Sequence, residues 1–145
     1  MHIARLFIAS YAAALASTAP AADLEASRIK CSESGTKFAM QFKKTYASQI
    51  SIFGNPEFHY SKALSTCLVY TELIDGALDK SITAVWYYRR VTDVYSNKVL
   101  AYSRYFVSKN DSAKKETMVN LANVGDAVNL GSTEFASAKA SMFNQ

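Results

Sequence analysis

Histidine is almost missing from this 145-residue chain: there are two, and His2 lies at the extreme N-terminus. That leaves His59 as the one imidazole downstream. A Ser-His-Asp or Cys-His machine needs a base beside its nucleophile and a third group to orient the base. No G-x-S-x-G elbow is present, and neither is a P-loop nor a G-x-G-x-x-G turn. A metal site needs several His, Cys, Asp or Glu at ligand spacing, and no such cluster occurs. The acids are scattered. Glu72 and Asp75 lie close together, but at the end of an apolar run, where acids commonly solvate turns. A carboxylate pair for glycoside cleavage needs a set separation across a cleft, and nothing in the sequence marks one. No catalytic, metal or cofactor residues are therefore assigned. Apolar runs are also short: none reaches the roughly 20 residues needed to span a bilayer as a helix.

What is present begins with the N-terminus. Met1 to Arg5 is basic, Leu6 to Ala16 is an uncharged, Ala-rich apolar run, and Ser17-Thr18-Ala19-Pro20-Ala21-Ala22 supplies small residues. Ala19-x-Ala21 fits the peptidase rule, so residues 1–21 read as a secretory signal peptide cut after Ala21. A lipid anchor would need a Cys right after the cut, and Cys31 lies well downstream. The destination is the periplasm or the exterior. The working chain, 22–145, is long enough for a single domain with a real core. The leader removes Arg5 alone among the 16 basic residues and leaves all 12 acids, so the net charge of +4 falls by one. So mild a balance does not point to nucleic acid, which asks for a clustered basic face. Aromatics are dense: nine Tyr and eight Phe, of which only Phe7 and Tyr11 fall in the leader, and Trp86.

The two cysteines, Cys31 and Cys67, both survive cleavage. An even pair in an oxidising compartment reads as one disulfide. A redox pair would sit at C-x-x-C spacing.

The segment from Asp23 to Phe53 reads as a long helix. Phe38, Phe42, Tyr46 and Ile50 recur every four residues as an apolar stripe. Gly35 is a weak point that could divide it, and Gly54-Asn55-Pro56 ends it. Leu64 to Ile74, Ile82 to Thr92 and Val99 to Val107 read as three strands joined by short turns, hence an antiparallel meander. Asp111 or Ser112 can cap a helix carrying Met118, Leu121, Ala122 and Gly125. Ser132 to Phe143 is a last Ala/Ser-rich helix or frayed tail. The expectation is an α+β fold: a long N-terminal helix packed on a three-stranded antiparallel sheet, one or two C-terminal helices and one disulfide.

The string His59-Tyr60-Ser61-x-x-Leu64-x-x-Cys67 resembles a segment of small exported bacterial proteins of uncharacterised function. The resemblance covers nine residues, fits an exported single domain and implies no activity. The richest patch lies elsewhere, at Trp86-Tyr87-Tyr88-Arg89-Arg90 with Tyr102, Arg104, Tyr105 and Phe106, and its candidate binding residues are Trp86, Tyr87, Arg89, Tyr102, Arg104 and Phe106. If Ser96-Asn97 is a two-residue loop, Arg89 faces Arg104, flanked by Tyr87 and Phe106. Two like charges opposite one another need something acidic between them, either Glu72 of this chain or an external group. Tyr, Trp and Arg also dominate protein interfaces.

These features point to an exported, non-enzymatic binding protein acting on another envelope or secreted protein, as an inhibitor, immunity protein or chaperone. Two alternatives stay open. One is a small periplasmic hydrolase using dispersed carboxylates. The other is a carrier of a small anionic ligand, which would show an apolar cavity under the helix with Arg at its mouth. On this reading the exported protein starts at Ala22, and its intact mass does not change on alkylation without reductant. Another start, or the gain of two alkyl groups, contradicts the leader or the disulfide respectively.

Overall fold

A computed structural model describes residues 19–47, 51–81, 83–113, 115–118 and 127–144. Within them, helix α1 runs unbroken over Ala19–Tyr46. Its inward stripe is Leu24, Ser27, Cys31, Ser34/Gly35, Phe38/Ala39 and Phe42, the three-and-four spacing of one helical face. After Leu24 that stripe is small as far as Gly35, and its C-terminal part carries the aromatic Phe38 and Phe42. Gly35 does not divide the helix; it brings it close to the sheet. A Cβ added there would stand 2.5 Å from Phe58 Cδ1 and 3.0 Å from Val69 Cγ2. One turn earlier Cys31, 1% exposed, is disulfide-bonded to Cys67 of the sheet, with Cα atoms 5.1 Å apart. The helix is shorter than expected. It ends at Tyr46, and Ile52–Phe53 is a short strand, β1. Ile50, the fourth residue of the expected stripe, lies outside the described residues.

The sheet is larger than the three strands expected. Strands β2 (Glu57–Ser61), β3 (Thr66–Asp75), β4 (Ala84–Asp93), β5 (Lys98–Ser108) and β6 (Glu116–Met118) join β1 in one antiparallel sheet of order β1-β3-β4-β5-β6, with β2 also on β3. His59 is therefore not on the approach to a strand but inside one, opposite Leu68. Glu116–Met118 is a strand where a helix was expected, because it pairs with Tyr105–Val107 of β5. Leu121, Ala122 and Gly125 of that expected helix lie outside the described residues. Helix α2 spans Ser132–Phe143, as expected for the last segment.

The two helices take opposite faces. Cys67, Val69 and Phe58 face α1, whereas Leu68, Tyr70, Val91 and Ala101 face α2 and enclose Phe135, 2% exposed. Strand β3 is buried from Thr66 to Thr71 because it is covered on both sides. Full burial of a side chain such as Phe135 contributes about 2–3 kcal/mol. Lys139 of α2 adds a clamp: its ammonium lies 3.9 Å from the Tyr70 ring centroid and pairs with Glu57, while Phe143 stacks on His59 at 5.5 Å.

Ala in place of Gly in an open helix stabilises by about 1 kcal/mol. At position 35 the contact with Phe58 is too short for that gain to survive, since overpacking costs about 1–3 kcal/mol. Gly35→Ala is expected to lower the urea midpoint of the oxidised protein, and Gly35→Val to lower it further. A raised midpoint for Gly35→Ala would show that the helix does not lie this close.

Candidate arginine and aromatic groove

The site starts from a register. Asp93 closes the β4–β5 turn by accepting hydrogen bonds from Tyr95 N (2.9 Å) and Ser96 Oγ (2.7 Å), and Asn97 takes the left-handed conformation (φ 55°). Asp93 pairs with Lys98, so the loop is 94–97 and not the two residues Ser96-Asn97. Val91 then faces Ala101 while Thr92 faces Val99, so Leu100 is bulged out. The result moves every downstream pair. Arg89 faces Ser103, Tyr88 faces Arg104, and Arg90 faces Tyr102. The expected opposition of Arg89 and Arg104 does not occur.

A one-residue shift exchanges sheet faces, and it divides the expected patch. Trp86, Tyr102, Arg104 and Phe106 lie on the α1 side, whereas Tyr87 and Arg89 lie on the α2 side. On the α2 side Arg89 is neutralised internally. Its Nε donates to Glu72 Oε1 at 2.6 Å, and its guanidinium lies 5.4 Å from the Tyr105 ring centroid. Burial works against the charged form of Arg89, but the Glu72 bond and Tyr105 outweigh it, and its pKa rises above the usual value. The Tyr87 and Tyr105 rings stack at 4.9 Å.

The α1 side is different. Arg90, part of the sequence patch but not among its candidate binding residues, stands under the last turns of α1. Its guanidinium carbon is 4.3 Å from the Phe42 centroid, 5.6 Å from Phe38 and 5.8 Å from Tyr46. Burial lowers its pKa, and the Tyr46 phenol opposes that shift. Arg stays protonated regardless. It is steadied by the aromatic faces around it. Arg104, diagonally across, lies 4.6 Å from the Tyr88 centroid and 5.3 Å from Trp86, and its Nη2 donates to Tyr88 Oη at 3.1 Å. Asn129 holds its backbone in place, accepting from Arg104 N at 2.7 Å and donating to Arg104 O at 3.1 Å.

Among the described residues, no carboxylate forms an ion pair with Arg90 or Arg104. The Nε atoms of both are buried and lack an acceptor. Both arginines line one groove of about 440 Å³, walled by Phe42, Tyr46, Leu73, Tyr88 and Tyr102 and bordered also by Arg89, with Asp75 and Ser51 at another part of its wall. Ligand pockets commonly measure roughly 300–1,000 Å³ and are mostly apolar with a few convergent polar groups. Alternation along β4 already put Trp86, Tyr88 and Arg90 on one face. Their meeting with Arg104 depended on the bulge at Leu100, which has no sequence signature.

Comparison of the chain with protein-family models, with curated proteins and with solved structures finds no match. Among the described residues, no helix is long and apolar enough to cross a membrane, and no group of three or more His, Cys, Asp or Glu is placed to hold a metal ion.

Burial raises the Tyr70 and Tyr105 phenols from 10.0 to about 12. In the unfolded chain each ionises near 10. Their contribution to stability is therefore complete below pH 10 and is lost as pH rises through about 12. Urea unfolding is expected to weaken steeply across that window, and Tyr105→Phe to flatten the fall. Phenolate absorbance saturating with ordinary pKa values, before unfolding, would contradict the burial.

Proposed function

We propose that this chain is an exported, non-enzymatic binding protein whose groove between α1 and the sheet takes a small organic anion. The observation that carries this reading is the pair Arg90 and Arg104. Each is held against aromatic rings with a buried Nε that has no acceptor, and each borders the same groove. An unmade hydrogen bond from a buried charged group costs more than a neutral one, of order 1–3 kcal/mol or above. A carboxylate or phosphate in the groove supplies the countercharge that no described carboxylate gives these guanidinium groups, in a geometry that suits their fork. The apolar walls then bury the body of the ligand.

A concave groove favours this over a flat protein interface. The protein-binding reading drew its strength from Arg89 and Arg104 facing each other between Tyr87 and Phe106, and Tyr87 and Arg89 lie on the other face, where Glu72 satisfies Arg89. The hydrolase alternative has no support in the groove, whose single carboxylate among the described residues is Asp75. Export is supported by the leader-like N-terminus, and the disulfide agrees with it.

Trp86 is the only tryptophan and lies beside Arg104, so its emission reports on the groove. Titration with 3-phenylpropionate and with octanoate is expected to change that emission saturably and to weaken with added salt. Arg104→Met should weaken binding at least about tenfold, the equivalent of ~1.4 kcal/mol, without changing the disulfide. Lys139→Met, on the α2 side and away from the groove, should leave binding intact. No saturable response to either acid into the millimolar range, or equal loss from both variants, overturns the proposal.

A further inference from the structure

The groove has a second charged feature. Asp75 ends β3 in the row of Trp86 and Phe106, beside the rings that hold Arg104. It receives a hydrogen bond from Ser51 Oγ at 3.2 Å and one from Gly76 N at 2.9 Å. Both fall on Oδ1. The other oxygen, Oδ2, has no partner among the described residues, and no Lys or Arg there forms an ion pair with Asp75. One groove therefore offers two guanidinium groups and a carboxylate oxygen: Arg104 shares the row of Leu73 and Tyr88, and Arg90 lies one row further from Asp75.

The register sets the spacing. Asp75 and Arg104 are two strands and two residues apart. With roughly 4.8 Å between strands and 3.3 Å per residue, their Cα atoms stand about 12 Å apart. Asp75 has thus not collapsed onto Arg104, although opposite charges in an aromatic groove attract strongly. A ligand complementary to this arrangement carries an anion and a cation some distance apart, with an apolar body between them. A single α-amino acid does not fit, because its two charges sit on one carbon. An extended chain covers at most about 3.3–3.6 Å per residue, so a tripeptide with free termini has the required reach.

Resting on the groove reading above, we infer that the ligand is a short peptide held by both ends. Its C-terminal carboxylate is bound by Arg90 and Arg104, its N-terminal ammonium by Asp75 Oδ2, and an apolar side chain lies on Phe42 and Tyr88. Asp75 selects for the free amino terminus, and the arginines provide the anion site that any small acid shares.

The test uses the oxidised protein and Ala-Phe-Ala in three forms: with free termini, N-acetylated and C-amidated. The free tripeptide is expected to bind, N-acetylation to weaken it at least tenfold, and amidation to weaken it by a similar factor. Asp75→Asn keeps the Oδ1 acceptor for Ser51 and Gly76, so the turn is preserved, and it replaces only Oδ2. In that variant the free and N-acetylated tripeptides should bind alike, while 3-phenylpropionate binds at least as well as in the wild type. If N-acetylation makes no difference in the wild type, or if 3-phenylpropionate binds and no tripeptide does, this inference falls and the anion site stands. If neither the acids nor the peptides bind, both fall. Should Asp75→Asn lower the thermal midpoint markedly, the wild-type comparison of the three peptide forms decides alone.

Discussion

The close seat of α1 on the sheet at Gly35, beside the Cys31–Cys67 bridge, is the constraint on which the rest of this structure depends. Small residues at the N-terminal part of the stripe let the helix axis approach, and the disulfide holds it there. From loop-closure entropy a bridge of this span stabilises by about 4 kcal/mol, a large share of a small domain's stability. Further along, the stripe changes to Phe38 and Phe42, whose bulk needs room. Arg90 occupies that room with its guanidinium against their faces. A helix anchored at one end and propped by aromatics at the other leaves a groove beside its last turn. Tyr46, 47% exposed, forms part of the rim.

The two faces of the sheet handle their arginines in opposite ways. On the α2 side, Arg89 meets Glu72 and is closed over by Tyr87 and Tyr105, while Lys139 meets Glu57. Charge is balanced there, and the arrangement is a structural one. On the α1 side, ring faces stabilise two guanidinium groups whose Nε donors have no acceptor. Cation–π contacts of this kind contribute about 1–2 kcal/mol each when desolvated. They hold the charge in position without consuming its hydrogen-bonding capacity, which is the property expected of a site preorganised for an anion.

Much of the architecture was legible because it rests on local pattern. The dense β-branched and aromatic runs named β3, β4 and β5, and the four-residue spacing of Phe38 and Phe42 named the inward face of α1. What escaped was short or non-local. Strand β2 has five residues and no alternation strong enough to separate it from a loop; it forms because β3 offers an edge. Glu116–Met118 has helical sequence but takes up the far edge of the sheet at β5. Gly35 looked like a break in the helix, and only the position of Phe58 and Val69 makes it a contact.

The sequence by itself determined the composition of this protein: a basic start followed by an Ala-rich apolar run, two cysteines to be joined, an aromatic sheet studded with arginine, and almost no histidine with which to build a familiar catalytic set. These follow from residue types and their short-range spacing. Only the tertiary structure decided which arginines share a surface. The turn closed by Asp93 and the bulge at Leu100 shift β5 by one position, and in a strand one position exchanges the two faces. Arg89 thereby went to Glu72, while Arg104 joined Arg90 and Asp75 in a single groove beneath the end of α1. Side-chain chemistry is written along the chain, but the pairing of charges across strands depends on register, which turn geometry and packing set together.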